Sequence, residues 1–201
     1  MEDIYITRDV LLNPNDKGII VSDLDKTYYK LLRLFVHNFM KNSALKYNAP
    51  YSGALLLDIA PQDHSGALPF KTTGWIRHTA DLDSSTNPTY VIDITINNSE
   101  IINSGTYDAI VCTEVLEHTS HPFNGMKELS RLLKKGGLLF LSVPCNFRMH
   151  GPLPDSWRFT EYGIKNLVNS NDFEILELTS LETPDRPLFP IDYALVARKL
   201  T

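Results

Sequence analysis

The chain has 201 residues, 43% apolar and 21% charged, which is enough for one sizeable core and ordinary for a globular protein. Its formal net charge of −5 provides no global field for phosphate and argues against a nucleic-acid or anionic-membrane surface. The two cysteines, Cys112 and Cys145, lack CxxC spacing, so no disulfide framework and no metal site are expected. The chain opens Met-Glu-Asp-Ile without a basic-then-apolar leader. No apolar run reaches the ~18–20 residues that span a bilayer, and the expectation is a cytoplasmic protein with no membrane span.

Residues 1–21 are mixed, with Ile4–Ile6 and Gly18–Val21 as short strand candidates around the turn Asn13–Asp16. Ser22-x-x-Asp25 has the spacing of a capping box, with Asp in place of Glu. Leu24, Tyr28, Leu31, Phe35 and Phe39 follow at helical spacing and predict a helix to about Leu45, ended by Asn48-Ala-Pro50. Leu55–Leu57 is a buried-type strand that stops at Asp58, and a polar turn runs from there to Gly66. Trp75–Ala80 predicts a second strand closed by Asp81-Leu-Asp83, Tyr90–Ile94 a third, and Tyr107–Thr113 a fourth. Thr119 or Ser120 is the expected cap of a second helix with Pro122 in its first turn. Its stripe is Phe123, Met126, Leu129, Leu132 and Leu133, and Lys134-Lys135-Gly136-Gly137 is the expected stop. Leu138–Val143 predicts a fifth strand and Glu161–Ser170 a helix. Phe173–Leu178 and Ile191–Arg198 complete the set.

Strands alternating with helices predict an α/β fold with a mostly parallel sheet and one antiparallel edge strand. The expected organisation is an N-terminal appendage and helix (residues 1–48) packed on a single α/β unit (residues 49–201).

In such sheets ligands bind beyond the carboxyl ends of the strands. Asp81 ends strand two, 23 positions after Asp58, where a carboxylate accepts ribose hydroxyls in dinucleotide-type sites. Asp83 is the near alternative, and a solvated turn aspartate is the plain one. Asp93 ends strand three and fits either an adenine amino group or a strand-end turn.

The runs Glu114-Val-Leu-Glu-His118 and Leu132-Leu-Lys-Lys-Gly-Gly137, taken with Asp58, Asp81 and Asp93, resemble the class I S-adenosylmethionine-dependent methyltransferases, in particular those acting on small molecules. The likeness covers about residues 50–200. His150–Thr160 resembles a segment of a subset of these enzymes, some linked to glycan or lipid biosynthesis. The resemblance implies a Rossmann-like, doubly wound seven-stranded sheet of order 3-2-1-4-5-7-6, with S-adenosylmethionine across strands 1, 2 and 4. It places Asp58, Ile59, Ala60, Pro61 and Gln62 beside the methionine moiety, Asp81 and Leu82 at the ribose, Asp93 and Ile94 at the adenine, and Thr113 and Glu114 beyond strand four. The sequence departs from the family's glycine-rich first loop, because Ala60-Pro61-Gln62-Asp63 stands there and Pro61 lacks a backbone donor.

Methyl transfer needs chiefly in-line positioning, with a base for an oxygen acceptor. His118, then His150 and Asp155, are the base candidates; His118 also fits a histidine bonding backbone at a helix entry. Trp157 and Arg158 fit either a lid that grips an acidic group or simple loop packing. The leading expectation is methyl transfer to a small-molecule or glycan acceptor, through oxygen, without nucleic acid. A homodimer is left open. The alternatives are a non-catalytic binding module of the same fold and a nicotinamide-dependent oxidoreductase, against which the missing GxGxxG counts.

Overall fold

The structure, a computed structural model, describes residues 22–61 and 66–201. The expected strands at 4–6 and 18–21, and Gln62, lie outside the described residues.

Helix α1 (Asp23–Lys46) begins at a reciprocal capping box. Ser22 Oγ accepts from the Asp25 N–H at 3.1 Å, and Asp25 Oδ2 accepts from the Ser22 N–H at 3.2 Å. Its buried stripe is Leu32, Val36, Met40 and Ala44, which displaces the expected one. Leu24 is exposed, and Tyr28, Phe35 and Phe39 flank the stripe half-buried.

The sheet has seven strands: β1 (Leu55–Ile59), β2 (Ile76–Asp81), β3 (Tyr90–Val91), β4 (Tyr107–Thr113), β5 (Leu133–Pro144), β6 (Phe173–Leu181) and β7 (Asp192–Lys199). The order is 3-2-1-4-5-7-6, parallel through β5, as the resemblance implied. The antiparallel strand is β7, one place in from the edge, between β5 and β6. Alternation along each strand divides the core. Leu57, Ile110, Cys112, Leu139 and Leu141 face helices α2 (Pro122–Leu132) and α3 (Glu161–Asn169). Leu56, Ala109, Val111 and Phe140 face α1. Burial pushes the Cys112 thiol up, which keeps it an inert packing group.

Of the boundaries that differ from expectation, three have a visible local cause. β3 stops at Val91 because Asp93 Oδ1 accepts from both the N–H and the hydroxyl of Thr95, at 2.7 Å each, and turns the backbone. Helix α2 is entered at His121, since the Thr119 hydroxyl donates instead to the Leu116 carbonyl. Lys134–Gly137 does not close α2 but opens β5. Leu133 is already extended and pairs with Tyr107, and the ladder then shifts register where Gly136 takes φ 77°. Lys134 is thereby carried to Asp108, 2.9 Å away at the start of β4.

Candidate active site

Strands β1, β2 and β4 run parallel and in register, so their carboxyl ends finish together. The residue after β1 is Ala60 at φ 49°, and the residue after β4 is Glu114 at φ 54°. Left-handed backbone costs a side-chain-bearing residue about 1–2 kcal/mol, and such strain concentrates at functional sites. Here it is held by hydrogen bonds across the sheet. The Ala60 N–H donates to the Ala80 carbonyl at 2.7 Å, and the Glu114 N–H to the Ser142 carbonyl at 3.1 Å.

Two cavities open at these ends. The larger, about 610 Å³, is walled by Ile59–Pro61, the turn Asp81–Asp83, Ile92–Thr95 and the segment Pro152–Pro154. That volume is in the range of clefts that enclose a cofactor-sized molecule. Asp81 accepts from the Asp83 N–H at 2.9 Å and the Thr86 hydroxyl at 3.2 Å, which fixes its carboxylate while lone pairs remain on both oxygens. Asp83 caps the short 3-10 turn Ser84–Thr86, so Asp81 is the better placed of the two. The smaller cavity, about 130 Å³, lies between α1 and the end of β5, lined by Tyr29, Leu32, Arg33, Val36, Phe147 and His150 among others. Ala60, Glu114, His118 and Pro152 border both.

Beneath this shared wall lies a polar cluster. Glu117 is fully buried on the 3-10 turn Leu116–His118, and neither carboxylate oxygen has a hydrogen-bond partner among the described residues. Burial, reinforced by the neighbouring Glu114, pushes its carboxyl well above the usual range. Its Oε1 lies 3.7 Å from His118 Nε2 and 3.8 Å from His150 Nε2. His118 Nδ1 faces the Pro154 carbonyl at 3.1 Å. His150 Nδ1 faces the Arg148 carbonyl at 3.3 Å and Asp155 Oδ2 at 3.2 Å. These partners only accept, so both Nδ1 atoms carry the proton and both Nε2 lone pairs turn toward Glu117. Burial lowers the His150 pKa, against the pull of Asp155. Alongside, Glu114 Oε1 accepts from the Ser142 hydroxyl at 2.7 Å. Asp192, wholly buried near Glu114, is pushed well above the carboxylate range by burial and that charge.

The structure sorts the sequence candidates. Ile59, Ala60, Pro61, Asp81, Leu82, Asp93 and Ile94 line the larger cleft. Thr113 and His150 line the smaller cavity, while Glu114 and His118 line both. Asp58 borders neither; it is buried against Arg77, 3.1 Å away. Asp155 borders neither and acts on His150, accepting its backbone N–H at 2.8 Å. Arg158 is not free to grip an acceptor. Its five N–H groups go to both Asp155 oxygens and to the carbonyls of Phe147, Arg148 and Trp157. Trp157 donates to the Thr119 carbonyl at 2.8 Å and also borders neither cavity. Sequence reasoning missed Glu117, and it missed Tyr29 and Arg33 because both fall outside the stripe that helical spacing picks out in α1, yet they reach the cavity.

The sequence model of the methyltransferase domain matches residues 32–178, spanning these strand ends and the cluster. The chain belongs to the methyltransferase-domain family. This is the class I, S-adenosylmethionine-dependent group that the motifs resembled. Among curated proteins the domain is similar to a ubiquinone biosynthesis O-methyltransferase of Vibrio parahaemolyticus, 39% identical over 62 residues, which is 31% of this chain and 26% of that protein. The match thus spans about a quarter of that relative's length. Among solved structures it resembles magnesium protoporphyrin IX methyltransferase from Synechocystis PCC 6803 with bound S-adenosylmethionine (17% identity, TM-score 0.63, 90% of this chain and 86% of that one). It also resembles the [4+2]-cyclase SpnF (12% identity, TM-score 0.59, 81% of each chain), so the methyltransferase fold does not by itself fix the chemistry. No helix among the described residues is long and apolar enough to cross a membrane.

Proposed function

We propose that the protein transfers a methyl group from S-adenosylmethionine to an oxygen of a small, ring-bearing acceptor. The observation that carries the proposal is the pair of cavities meeting at one four-residue wall, the larger bearing Asp81 and the smaller the aromatic pair Tyr29 and Phe147. The donor set of the larger cleft fits the cofactor. Asp81 offers carboxylate oxygens for ribose hydroxyls, Leu82, Ile92 and Ile94 offer apolar surface for a base, and Ile59–Pro61 with Glu114 border the strand-1 and strand-4 ends. When bound, S-adenosylmethionine supplies a sulfonium-activated methyl; the carbon–sulfur bond breaks, a carbon–oxygen bond forms, and S-adenosylhomocysteine and a proton are released.

The residues of this chain position and shield. An apolar cavity of about 150 Å³ accommodates benzene, so 130 Å³ suits one six-membered ring. Tyr29 and Phe147, edge to face with centroids 4.8 Å apart, supply its aromatic side. Arg33 at its border suits an acidic substituent on the acceptor. The capacity to deal with the hydroxyl proton lies in the Glu117–His118–His150 cluster beside the shared wall. The likeness to an O-methyltransferase supports oxygen as the accepting atom.

The test is calorimetry with S-adenosylhomocysteine, followed by turnover with hydroxylated aromatic and sugar acceptors, read as the mass of one added methyl. Binding with Asp81→Ala at least about tenfold weaker and methylated product together support the reading. No heat at millimolar cofactor overturns it. Binding without product on any acceptor supports a non-catalytic module, the reading that the glycine-poor turn at Ala60 favours.

A further inference from the structure

We infer that Glu117, His118 and His150 form a divalent-cation site beside the wall shared by the two cavities. One ligand atom from each lies within 4.8 Å of the others. Three features make this more than a chance cluster. Both histidines have Nδ1 engaged by acceptors, the arrangement that orients metal-bound imidazoles and bares Nε2. Asp155, the partner of His150, is itself clamped through both oxygens by Arg158, so the ring is held from behind. Glu117 is fully buried, with both oxygens unpartnered among the described residues, and a buried polar group of that kind calls for a specific explanation.

A shared proton does not supply one. The Nε2 separations of 3.7 and 3.8 Å from Glu117 Oε1 exceed hydrogen-bond length. They approach the spacing of ligands around an ion with bonds of about 2.0–2.2 Å, where neighbouring ligand atoms stand about 3.4 Å apart. An ion would draw the three ligand atoms, which lie within 4.8 Å of one another, closer together. Two imidazoles and one carboxylate select zinc, manganese, iron or cobalt over magnesium or calcium, which prefer oxygen. Three protein ligands also leave coordination positions open, as a working rather than a structural site requires.

His118 and His150 border the smaller cavity, so an acceptor oxygen is the natural further ligand. Coordination lowers the pKa of a bound hydroxyl, and its proton then passes to solvent without a protein base. This role rests on the methyl-transfer reading; the cation site itself does not.

The test uses the full chain freed of metal by a chelator and titrated with Co²⁺ in the absence of cofactor. The expected result is one equivalent bound, with ligand-field absorption and a raised Tm. Glu117→Gln and His150→Asn should each weaken uptake at least about a hundredfold, and Asp155→Asn about 10–100-fold through its hold on His150. His37→Asn, on the exposed face of α1, should leave it unchanged. Should the variants fail to fold, histidine side-chain NMR of the native chain decides, with the Nε2 resonances of two of the six histidines shifting on Zn²⁺ addition. No saturable Co²⁺ uptake, uptake unaltered in folded Glu117→Gln and His150→Asn, or no histidine shift overturns the site. Failure of S-adenosylhomocysteine binding alone would overturn the methyl-transfer reading and leave the cation result standing.

Discussion

Gly66 and Thr113 approach so closely that no side chain fits between them: a Cβ at 66 would stand 2.6 Å from Thr113 Cγ2 and 2.9 Å from its Oγ1. Gly66 is thus seated on the end of β4, at a residue that lines the smaller cavity. Gly66→Ala should cost about 1–3 kcal/mol, the usual penalty of overpacking, and disturb the smaller cavity with it. Thr113→Ala removes the two nearest atoms, so the double variant should recover most of that loss. A double-mutant cycle on urea midpoints checks the coupling. Strictly additive effects would show that the loop yields freely.

Ala60 sits where an achiral residue would carry no left-handed penalty. Ala60→Gly should therefore raise stability by about 0.5–1 kcal/mol, or about 1–4 °C in Tm for a chain of this size. It should also leave the 2.7 Å bond to the Ala80 carbonyl in place. Thermal unfolding of the two proteins side by side measures it; a lower Tm would mean that the alanine methyl packs more favourably than its backbone strain costs.

The bidentate contact between Arg158 and Asp155 holds the segment that carries His150. Lysine cannot reproduce a planar fork with five donors. Arg158→Lys should destabilise by about 3 kcal/mol, because it leaves a buried carboxylate and three carbonyls short of donors. If Arg158 instead gripped the acceptor, the variant would keep its stability and lose only acceptor affinity, and comparing Tm with KM separates these outcomes.

Acid sensitivity should trace to Asp108. Burial alone would raise its pKa, but hydrogen bonds from the Tyr51 hydroxyl and the Leu55 N–H, with the Lys134 ammonium, outweigh it and hold the carboxyl below its usual value. A depressed folded pKa contributes stability that is complete above the unfolded value, about 3.9, and is lost as pH falls through the folded one. Asp108→Asn should be less stable than the native chain at neutral pH, with the difference shrinking below about pH 4. Urea midpoints from pH 7 to 2 measure this; a difference constant over that range would rule the ionised group out.

Most of the sheet could be read from local sequence, because each central strand is a short apolar run ended by Asp, Glu or Pro. That Asp81 and Asp93 border the larger cleft could be expected from their places at the ends of strands two and three. The start of β5 could not be found so easily. Lys134-Lys135-Gly136-Gly137 carries helix-stop chemistry, and only the long-range pull of Asp108 on Lys134 and the register shift after Tyr107 make it a strand. Arg158 looked like a recognition residue because a loop arginine beside Trp157 reads the same whether its donors face inward or outward. The Glu117 cluster was hidden for a different reason. Glu117 and His118 adjoin but His150 lies more than thirty positions away, and the signal that unites them, two ring nitrogens bared by distant carbonyls and a carboxylate, exists only once the chain is folded.

The boundary between the two cavities has an evolutionary consequence. Their common wall is four residues; the turns after β2 and β3 line the larger alone, α1 with Phe147 and His150 lines the smaller alone, and the segment from Gly151 to Pro154 contributes to both. On the methyl-transfer reading proposed above, mutations in α1 can therefore exchange one acceptor for another while the turns after β2 and β3 change under their own constraint. A lineage built this way would keep its donor and change its clientele.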